Sequence, residues 1–519
     1  MKDVCGALLA VTLWVSVASF RHHYRNNSEL NTLLNDMETS HSHLARVYSI
    51  GKSVKETDLK VIQLSGPNVS IGTPHVKLVG NIHGNEPLGR ELLLRLADYL
   101  ISGYESGDDE AMAILDKMYV HILPTMNPDG FAEALEGECV NGPGRRNANE
   151  KDLNRDFPSH KYPSDTMDPV QPETAAIMEW MYKYPFVMSA AIHGGALVAN
   201  YPYDVAKTKE VHDLQQMLQG PGGYERLMEM LKTSPSNFPG SRAPEDHKTE
   251  DNDMFRAMAF NYAEEHGHMA DSKECPDSND QHKFDRGTTN GAAWYSFTGS
   301  MGDYNYDYHG CLELTLELSC CKYPGDHELE KHWNDNKKAL LSFLKYSQQG
   351  VKGVIYNGTD EPVSKAAVSI YGRKQVHYST ENGEYWILLL PGKYWLEVEK
   401  FEKKIFRKIT VPDSPFDNPL ILNLDLATAA AEDYPQPSDF DPEQDNTGDF
   451  LMVGVDRKDA QEYEEIHEAM VNERKNMNED ERYDDETLPY PGDSRAADTY
   501  RLNSFICIIC SIFSLLFCK

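Results

Sequence analysis

The sequence predicts an α/β domain with a mixed, mostly parallel sheet flanked by helices, followed by a small all-β sandwich. Residues 46–347 alternate short β-rich runs with helical patterns, which is typical of a sheet that helices cover on both faces. Residues 350–426 contain only short strands divided by Gly, Pro, Asn and Asp, which is typical of a compact all-β module. The length of 519 residues also favours two or more domains.

The elements of the first domain are predicted from apolar runs and their periodicity. Short apolar runs predict buried strands in LKVIQLS, HVKLVGNIH, YVHILPTMN, FVMSAAIHGG and CLELTLELSC. Helical periodicity predicts helices in PLGRELLLRLADYLIS, PETAAIMEWMYKY and LEKHWNDNKKALLSFLKYS. In sheets of this kind, ligand sites collect where the strands end and the loops begin.

The second module is predicted from seven short strand-like runs. They are GVKGVIYN, AAVSIYG, QVHYST, EYWILLL, KYWLEVEK, KKIFRKITVP and LILNLDL. This module carries no cluster of catalytic side chains, so we expect its role to be structural.

The two ends of the chain carry targeting patterns. Residues 1–19 contain a lysine, an apolar run and small residues, which predicts a secretory signal removed near Ser19; a buried N-terminal helix is the alternative. Residues 427–500 contain 22 acidic and 6 basic residues, so we expect a disordered acidic stalk over residues 427–495. Residues 496–519 end in a run of 14 apolar or small residues, which predicts a GPI-attachment signal, with a retained membrane anchor as the alternative.

Charge and cysteine usage narrow the class of protein. A formal net charge of −32 excludes nucleic acid as the expected partner, because phosphate binding needs a basic surface. Sequons at Asn26, Asn68 and Asn357 support a secreted protein. Five cysteines remain outside the terminal segments and none form a CxxC pair, so disulfides are expected, with one thiol left unpaired.

Two histidines and a glutamate follow predicted strands. His83 and Glu86 stand where an apolar strand gives way to a helix, although this spacing alone also suits an ordinary histidine at a strand end. His193 follows a second apolar strand and precedes two glycines. Two imidazoles and one carboxylate with a fourth position open form the ligand set of catalytic Zn²⁺.

The segment between these motifs, GPGRRNANEKDLNRDFP, is rich in arginine and asparagine. A solvated turn is one interpretation. The other is an anion clamp, because a guanidinium meets a carboxylate through two parallel hydrogen bonds.

Six runs together resemble the metallocarboxypeptidases of the regulatory, or N/E-type, subfamily. They are HGNEPLGRELLL, GRRNANEKDLNRDFP, QPETAAIMEW, IHGGALVANYPYD, TTNGAAWYSFTGSMGDYNY and LELTLELSCCKYP, and the likeness spans roughly residues 40–426. The resemblance implies a zinc carboxypeptidase fold over residues 20–348. It also implies a transthyretin-like β-sandwich over residues 349–426.

The resemblance implies roles for named residues. His83, Glu86 and His193 correspond to the zinc ligands, and Glu317 corresponds to the general base. A buried carboxylate paired with a lysine is the alternative for Glu317. Arg145 corresponds to the arginine that polarises the scissile carbonyl.

Four further residues correspond to the family's substrate-binding positions. Asn154 and Arg155 match the pair that holds the C-terminal carboxylate of the substrate, and Tyr295 matches the tyrosine that covers it. Asp204 matches the residue that lines the pocket for the last side chain, where a carboxylate favours Lys or Arg; an ordinary turn aspartate is the alternative.

Three departures from the family pattern affect the expected pocket. Gly302 stands where the family has a glutamine that contributes to the pocket for basic residues, so the pattern leaves the choice between Lys and Arg open. NRDFPS replaces NRNFPD beside the carboxylate clamp. Residues 205–250 are longer than the corresponding family segment. We expect this insertion to be a lid, an exosite or a surface excursion.

The family pattern also implies two disulfides, Cys139 with Cys321 and Cys275 with Cys320, leaving Cys311 as a buried free thiol. The expected function is therefore an extracellular zinc exopeptidase, acting as a monomer on peptides and proteins that end in Arg or Lys. A catalytically silent peptide-binding protein of the same fold is the main alternative. A zinc hydrolase acting on a non-peptide acyl amide is the other, which the substrate-binding residues disfavour.

Overall fold

The computed structural model describes residues 23–70, 72–159, 169–207, 246–271, 275, 283–358, 361–413 and 419–428. The predicted signal peptide, most of the insertion at residues 205–250, nearly all of the acidic stalk and the predicted anchor signal lie outside these ranges. Among the described residues, no helix has the length and apolar character needed to cross a bilayer.

The helices and strands alternate along the first part of the chain. The helices are α1 (Asn27–Ser40), α2 (Leu88–Ser106), α3 (Asp109–Lys117), α4 (Pro128–Phe131), α5 (Pro172–Lys183), α6 (Asn252–Glu265), α7 (Gly291–Trp294), α8 (Met301–His309) and α9 (Leu329–Lys345). The strands of this part are β1 (Ala45–Lys52), β2 (Asp58–Leu64), β3 (His75–Gly80), β4 (Tyr119–Leu123), β5 (Phe186–His193), β6 (Ala196–Tyr201), β7 (Thr288–Asn290) and β8 (Leu312–Ser319).

The main sheet, as far as the structure describes it, has eight strands in the order β1-β2-β4-β3-β5-β8-β6-β7. Its centre is parallel, because β4, β3, β5 and β8 all run in one direction. Antiparallel pairing occurs between β1 and β2, between β2 and β4, and between β8 and β6. The predicted mixed, mostly parallel sheet is therefore confirmed.

Both faces of this sheet are buried, as the apolar runs predict. In β4, Val120 and Ile122 belong to one apolar cluster and Leu123 belongs to another. The first cluster includes residues of α1, α2, α3, α6 and α9, and the second includes residues of α5 and α8. Every residue of β5 is buried, as expected for a central strand covered by helices on both sides.

The C-terminal module is all β, with strands β9 (Val351–Tyr356), β10 (Ala367–Ile370), β11 (Val376–Tyr378), β12 (Glu384–Ile387), β13 (Gly392–Lys400), β14 (Lys403–Val411), β15 (Leu420–Ile421) and β16 (Leu424–Asp425). One sheet has the order β11-β10-β13-β14, and the other has β9 between β12 and β15, with β16 also paired to β9. Side chains from both sheets form one apolar cluster. This arrangement is consistent with the transthyretin-like sandwich that the sequence predicts.

Polar contacts join this module to the α/β domain. Arg373 forms ion pairs with Asp251 and Asp253 at the start of α6. The indole Nε1 of Trp386 donates to the carbonyl oxygen of Gly72 at 3.1 Å. The β module therefore contacts the α/β domain through ion pairs and a hydrogen bond.

The disulfide prediction is confirmed. Cys139 is bonded to Cys321, and Cys275 is bonded to Cys320. Cys311 is a buried free thiol. Together, the two bonds anchor the segment that follows β8 to two distant parts of the chain.

Candidate active site

The loop that carries His83 and Glu86 is fixed by the asparagine that follows β3. Asn81 has a left-handed backbone (φ 58°), and its Nδ2 donates to the carbonyl oxygens of His83 and Gly84 at 2.8 and 3.0 Å. Gly84 lies so close to Gly130 and Phe131 that a Cβ atom there would be 2.3 Å from their backbone. The loop therefore requires glycine at this position, and α2 begins immediately afterwards at Leu88.

Three buried side chains converge at the carboxyl ends of β3 and β5. Glu86 Oε2 lies 2.9 Å from His83 Nδ1 and 3.0 Å from His193 Nδ1. One ligand atom from each residue lies within 4.8 Å of the other two. The structure thus brings together His83, Glu86 and His193. The first and the last of these residues are 110 positions apart in the sequence.

The donor set of this cluster fits the catalytic zinc of a metallohydrolase. Two imidazole nitrogens and one carboxylate leave part of the coordination shell open, whereas structural zinc sites are usually closed by thiolates. Both imidazoles direct Nδ1 at the same carboxylate oxygen, and all three side chains are buried. The residues present therefore fit Zn²⁺.

Asp152 is a residue of this site that the sequence does not indicate. Its Oδ1 lies 3.0 Å from His83 Nε2, and its Oδ2 accepts from Nε and Nη2 of Arg145 at 3.1 and 2.9 Å. Burial opposes ionisation of this carboxyl group, but the charges of His83 and Arg145 hold its pKa well below the usual range. Asp152 therefore orients one imidazole of the cluster and one arginine of the clamp.

Lys322 is a second residue that the sequence does not single out. Its Nζ donates to Glu86 Oε1 and, at 3.0 Å, to the carbonyl oxygen of Gly194. Burial would raise the pKa of Glu86, but His83 and Lys322 hold it well below its ordinary value. Lys322 directly follows Cys320 and Cys321, so the two disulfides fix its position.

Glu317 lies beside the histidine cluster on the neighbouring strand. In the parallel pairing of β5 with β8, Glu317 stands opposite His193. Burial raises the pKa of Glu317 to about 7, and the negative charge of Glu86 acts in the same direction. Its Oε2 has no hydrogen-bond partner among the described residues. A carboxylate with these properties is suited to accepting a proton near neutral pH.

The arginine-rich segment and the histidine cluster line one cavity. This cavity of about 210 Å³ is lined by the zinc cluster, Glu317, Arg145, Asn154, Arg155, Asp204 and Tyr295, among others. Asn154 Oδ1 accepts from the backbone N–H of Met301 at 3.0 Å. The guanidinium of Arg155 lies over the ring of Phe297, which in turn stacks on Tyr295. Three side chains of this segment, Arg145, Asn154 and Arg155, therefore line a cavity, and the anion clamp stays a prediction.

Asp204 also lines this cavity. Its Oδ1 accepts from Asn200 Nδ2 at 3.0 Å, and its backbone N–H donates to Asp303 Oδ1 at 2.9 Å. Burial raises the pKa of Asp204, while its bond to Asn200 and the charge of Arg155 act against that rise. A cationic side chain in the cavity would favour the ionised carboxylate.

Comparison with known proteins gives a consistent assignment. The family model for zinc carboxypeptidases, Peptidase_M14, matches residues 30–339. Carboxypeptidase M of Mus musculus is 37% identical over 412 residues, which are 78% of this chain and 84% of that protein. The carboxypeptidase N catalytic chain of Homo sapiens is 36% identical over 420 residues, covering 76% of this chain and 84% of that protein.

A third relative is much longer. Carboxypeptidase D of Rattus norvegicus is 38% identical over 378 residues, which are 72% of this chain but only 25% of that protein. The chain thus spans about a quarter of the length of this relative. The family match and these relatives, taken with the buried His83, Glu86 and His193, establish that this chain belongs to the zinc carboxypeptidase family.

Proposed function

We propose that this protein is an extracellular zinc carboxypeptidase that hydrolyses the last peptide bond of peptides and proteins ending in Arg or Lys. The observation that carries the proposal is one cavity with three kinds of group. It contains the His83–Glu86–His193 cluster with Glu317 beside it, the side chains of Asn154 and Arg155, and the buried carboxylate of Asp204. Catalysis, recognition of a free carboxylate and recognition of a basic side chain are then combined in one place.

Zinc, when bound by His83, Glu86 and His193, supplies a Lewis acid that acidifies water and polarises a carbonyl. Glu317 takes the proton of the attacking water, since burial raises its pKa to about 7. The same carboxyl group then passes that proton to the departing amine nitrogen. Arg145 stabilises the negative charge that develops on the carbonyl oxygen of the scissile bond.

Substrate binding is assigned to other side chains of the same cavity. Asn154 and Arg155 bind the α-carboxylate, and Tyr295 covers it, because these side chains line the cavity together and offer it amide, guanidinium and phenol donors. Asp204 binds the ammonium or guanidinium of the last residue. This assignment predicts that one residue is removed at a time, since a chain that continues past Asn154 and Arg155 has no carboxylate to offer them.

The proposed location depends on sequence features. A secretory signal at residues 1–19, sequons, two disulfides and the C-terminal anchor signal all favour the extracellular face of the plasma membrane, with release as a secreted protein as the alternative. We expect the protein to act as a monomer.

Mass-spectrometric trimming of matched peptides tests the proposal. Peptides that end in Arg, Lys, Phe, Glu or amidated Arg are incubated with the zinc-loaded full chain, with and without a zinc chelator. Loss of one residue from the Arg and Lys peptides only, abolished by the chelator, is the expected result. The Glu317→Gln variant should retain zinc and lose about 10²- to 10⁴-fold in kcat.

Two outcomes would contradict the proposal. If the zinc-loaded wild-type protein binds the Arg peptide without trimming it, the protein is a silent binding member of the fold. Trimming of the amidated Arg peptide at the same rate as the free Arg peptide would instead show that substrate binding does not require a free carboxylate.

A further inference from the structure

Strand β14 lies at the edge of its sheet. It pairs with β13 along all nine of its residues, and the order β11-β10-β13-β14 ends with it in the described part of the chain. Lys403, Lys408 and Thr410 are exposed, so this edge is open to solvent. A long edge strand can accept a further strand through its backbone N–H and C=O groups, which is a common mode of peptide binding.

Apolar side chains occupy both faces of β14. Ile405, Ile409 and Val411 belong to the apolar cluster between the two sheets of the module. Phe406 lies on the opposite face, because neighbouring residues of a strand point to opposite sides. Phe406 is nevertheless only 4% exposed, and Glu397, which pairs with it on β13, is only 2% exposed. The face that points away from the sandwich core is therefore buried as well.

The α/β domain meets the module away from β14. The contacts run through Arg373, which lies between β10 and β11, and through Trp386 of β12. In the ranges that the structure describes, no helix or strand of the α/β domain makes extensive contact with β13 or β14. Those helices and strands therefore do not explain why Phe406 is buried.

The edge strand is basic, although the protein is acidic. Four of the nine residues of β14 are cations and none is acidic, whereas the chain as a whole has a net charge of −32. The cations are Lys403, Lys404, Arg407 and Lys408. Lys404 forms an ion pair with Glu397 of β13 at 3.0 Å. A partner with several carboxylates would complement this strand, because charge complementarity selects the partner and fixes its register.

The chain that follows the module has the complementary composition. Residues 429–455 contain seven acidic residues and no basic residue. They end in the apolar run FLMVGV at residues 450–455, which lies between Asp449 and Asp456. A short apolar run bounded by turn-forming and charged residues is typical of a strand. The rest of this segment is too polar to form a core of its own.

The chain leaves the module beside the first residue of β14. Lys403 Nζ donates to the carbonyl oxygen of Leu426 at 2.9 Å, and the described chain ends two residues later at Thr428. The 21 residues 429–449 then separate Thr428 from the apolar run. When extended they span up to about 70 Å, whereas a strand of the length of β14 spans about 30 Å. The apolar run can therefore reach any position along β14.

We infer that residues 450–455 add to the edge of β14 as a further strand, with the acidic residues 429–449 lying along the basic side chains of β14. Backbone hydrogen bonds to β14 hold this strand. Because side chains alternate along a strand, the leucine and the two valines of the run share one face, and its phenylalanine and methionine share the other. The run therefore extends both apolar faces of β14. The partner of this edge is a segment of the same chain, and the disordered stalk begins only after Val455.

Hydrogen–deuterium exchange of the full chain, measured by mass spectrometry, tests this inference. The amides of residues 450–455 should exchange at least about hundredfold more slowly than in an unfolded peptide of the same sequence. Val453→Pro removes a backbone donor within the run, so this protection should fall at least about tenfold, and the amides of β14 should exchange faster. Met470→Pro, further along the acidic segment, is the matched control and should change neither. The amides of β5 serve as the reference for an intact α/β domain.

Three outcomes would overturn the inference. Exchange of residues 450–455 at the rate of the unfolded peptide in the wild-type chain would show that the run is not docked. Protection that Val453→Pro removes without any effect on β14 would place the run elsewhere on the protein. Protection that increases with protein concentration would show that the strand added to β14 comes from a second copy of the chain.

Discussion

Replacing Asp152 with asparagine should weaken zinc binding by about ten- to hundredfold, although Asp152 is not itself a candidate ligand. The Asp152 carboxylate binds two donors of Arg145 through Oδ2 and His83 Nε2 through Oδ1. An asparagine has one oxygen. Arg145 offers it two donors at the position of Oδ2, whereas the backbone N–H of Asn154 offers one at the position of Oδ1, so we expect Arg145 to hold it. The NH₂ group then faces His83 Nε2 and donates to it.

The consequence for His83 follows from its two ring nitrogens. In a neutral imidazole, an Nε2 that accepts a hydrogen bond leaves the proton on Nδ1. Nδ1 is the atom that lies 2.9 Å from Glu86 Oε2, within the convergent cluster. Zinc would have to displace that proton or break the new hydrogen bond. A penalty of about 1.4 to 2.7 kcal/mol corresponds to the expected ten- to hundredfold loss.

The assay is zinc competition with a chromogenic chelator, applied to wild type, Asp152→Asn and a matched control. Asp156→Asn is the control, because Asp156 lies four residues away and its carboxylate accepts the backbone N–H of Gln171 at 2.7 Å. Only Asp152→Asn should lose affinity. An unchanged zinc affinity in this variant, or an equal loss in the control, would refute the role assigned to Asp152.

Three further predictions concern specificity, domain contacts and acid stability. Asp204→Asn should lower kcat/KM for Arg and Lys peptides by about ten- to hundredfold, and an equal loss on a Phe peptide would contradict its proposed role. Arg373→Met leaves the nearly buried Asp251 without its cation, so urea unfolding should show a loss of about 3 kcal/mol; an unchanged unfolding midpoint would count against that contact. Burial lowers the pKa of His75 from 6.5 to about 4, so the unfolded chain binds the extra proton between these values. The contribution of His75 to the free energy of unfolding should therefore be fully present above pH 6.5 and be lost toward pH 4. The free energy of unfolding of His75→Phe should change less steeply with pH over this range.

The sheet could be predicted where burial leaves an unambiguous pattern. β3, β4, β5 and β8 are central strands covered on both faces, so their apolar runs stand out in the sequence. The short strands of the C-terminal module could also be predicted, because Gly, Pro and Asn separate them, although the run LILNLDL forms two strands, β15 and β16, instead of one. The convergence of His83 with His193 follows from the same logic, since parallel strands end at one edge of a sheet.

Other elements carry a weaker signal. β6 is a short strand that follows two glycines, and β7 has only three residues. Their pairing is specified by β8 and by each other rather than by their own periodicity. Helix α6 has apolar residues on the face that packs on β6 and α9, but its sequence is mixed enough that no period dominates.

Asp152 and Lys322 were not predicted because their partners are distant in sequence. Asp152 reaches His83 across 69 residues, and Lys322 reaches Glu86 across 236. A lone aspartate in a polar loop and a lysine after two cysteines are ordinary in composition. Only the fold shows that Asp152 orients the imidazole of His83 and that Lys322 donates to the carboxylate of Glu86.

The cavity contains charged side chains of both signs, which makes the proposed specificity a property of unpaired groups. Arg155 and Lys322 line it together with Asp204. A C-terminal basic residue carries the complementary pair of charges, a carboxylate and a cation, a few bonds apart. A substrate that lacks either charge leaves a buried donor or acceptor without a hydrogen bond. Such an unpaired group lowers kcat/KM far more than a lost apolar contact does. On the proposed function, the cavity therefore discriminates chiefly through the groups that the wrong substrate leaves unpaired.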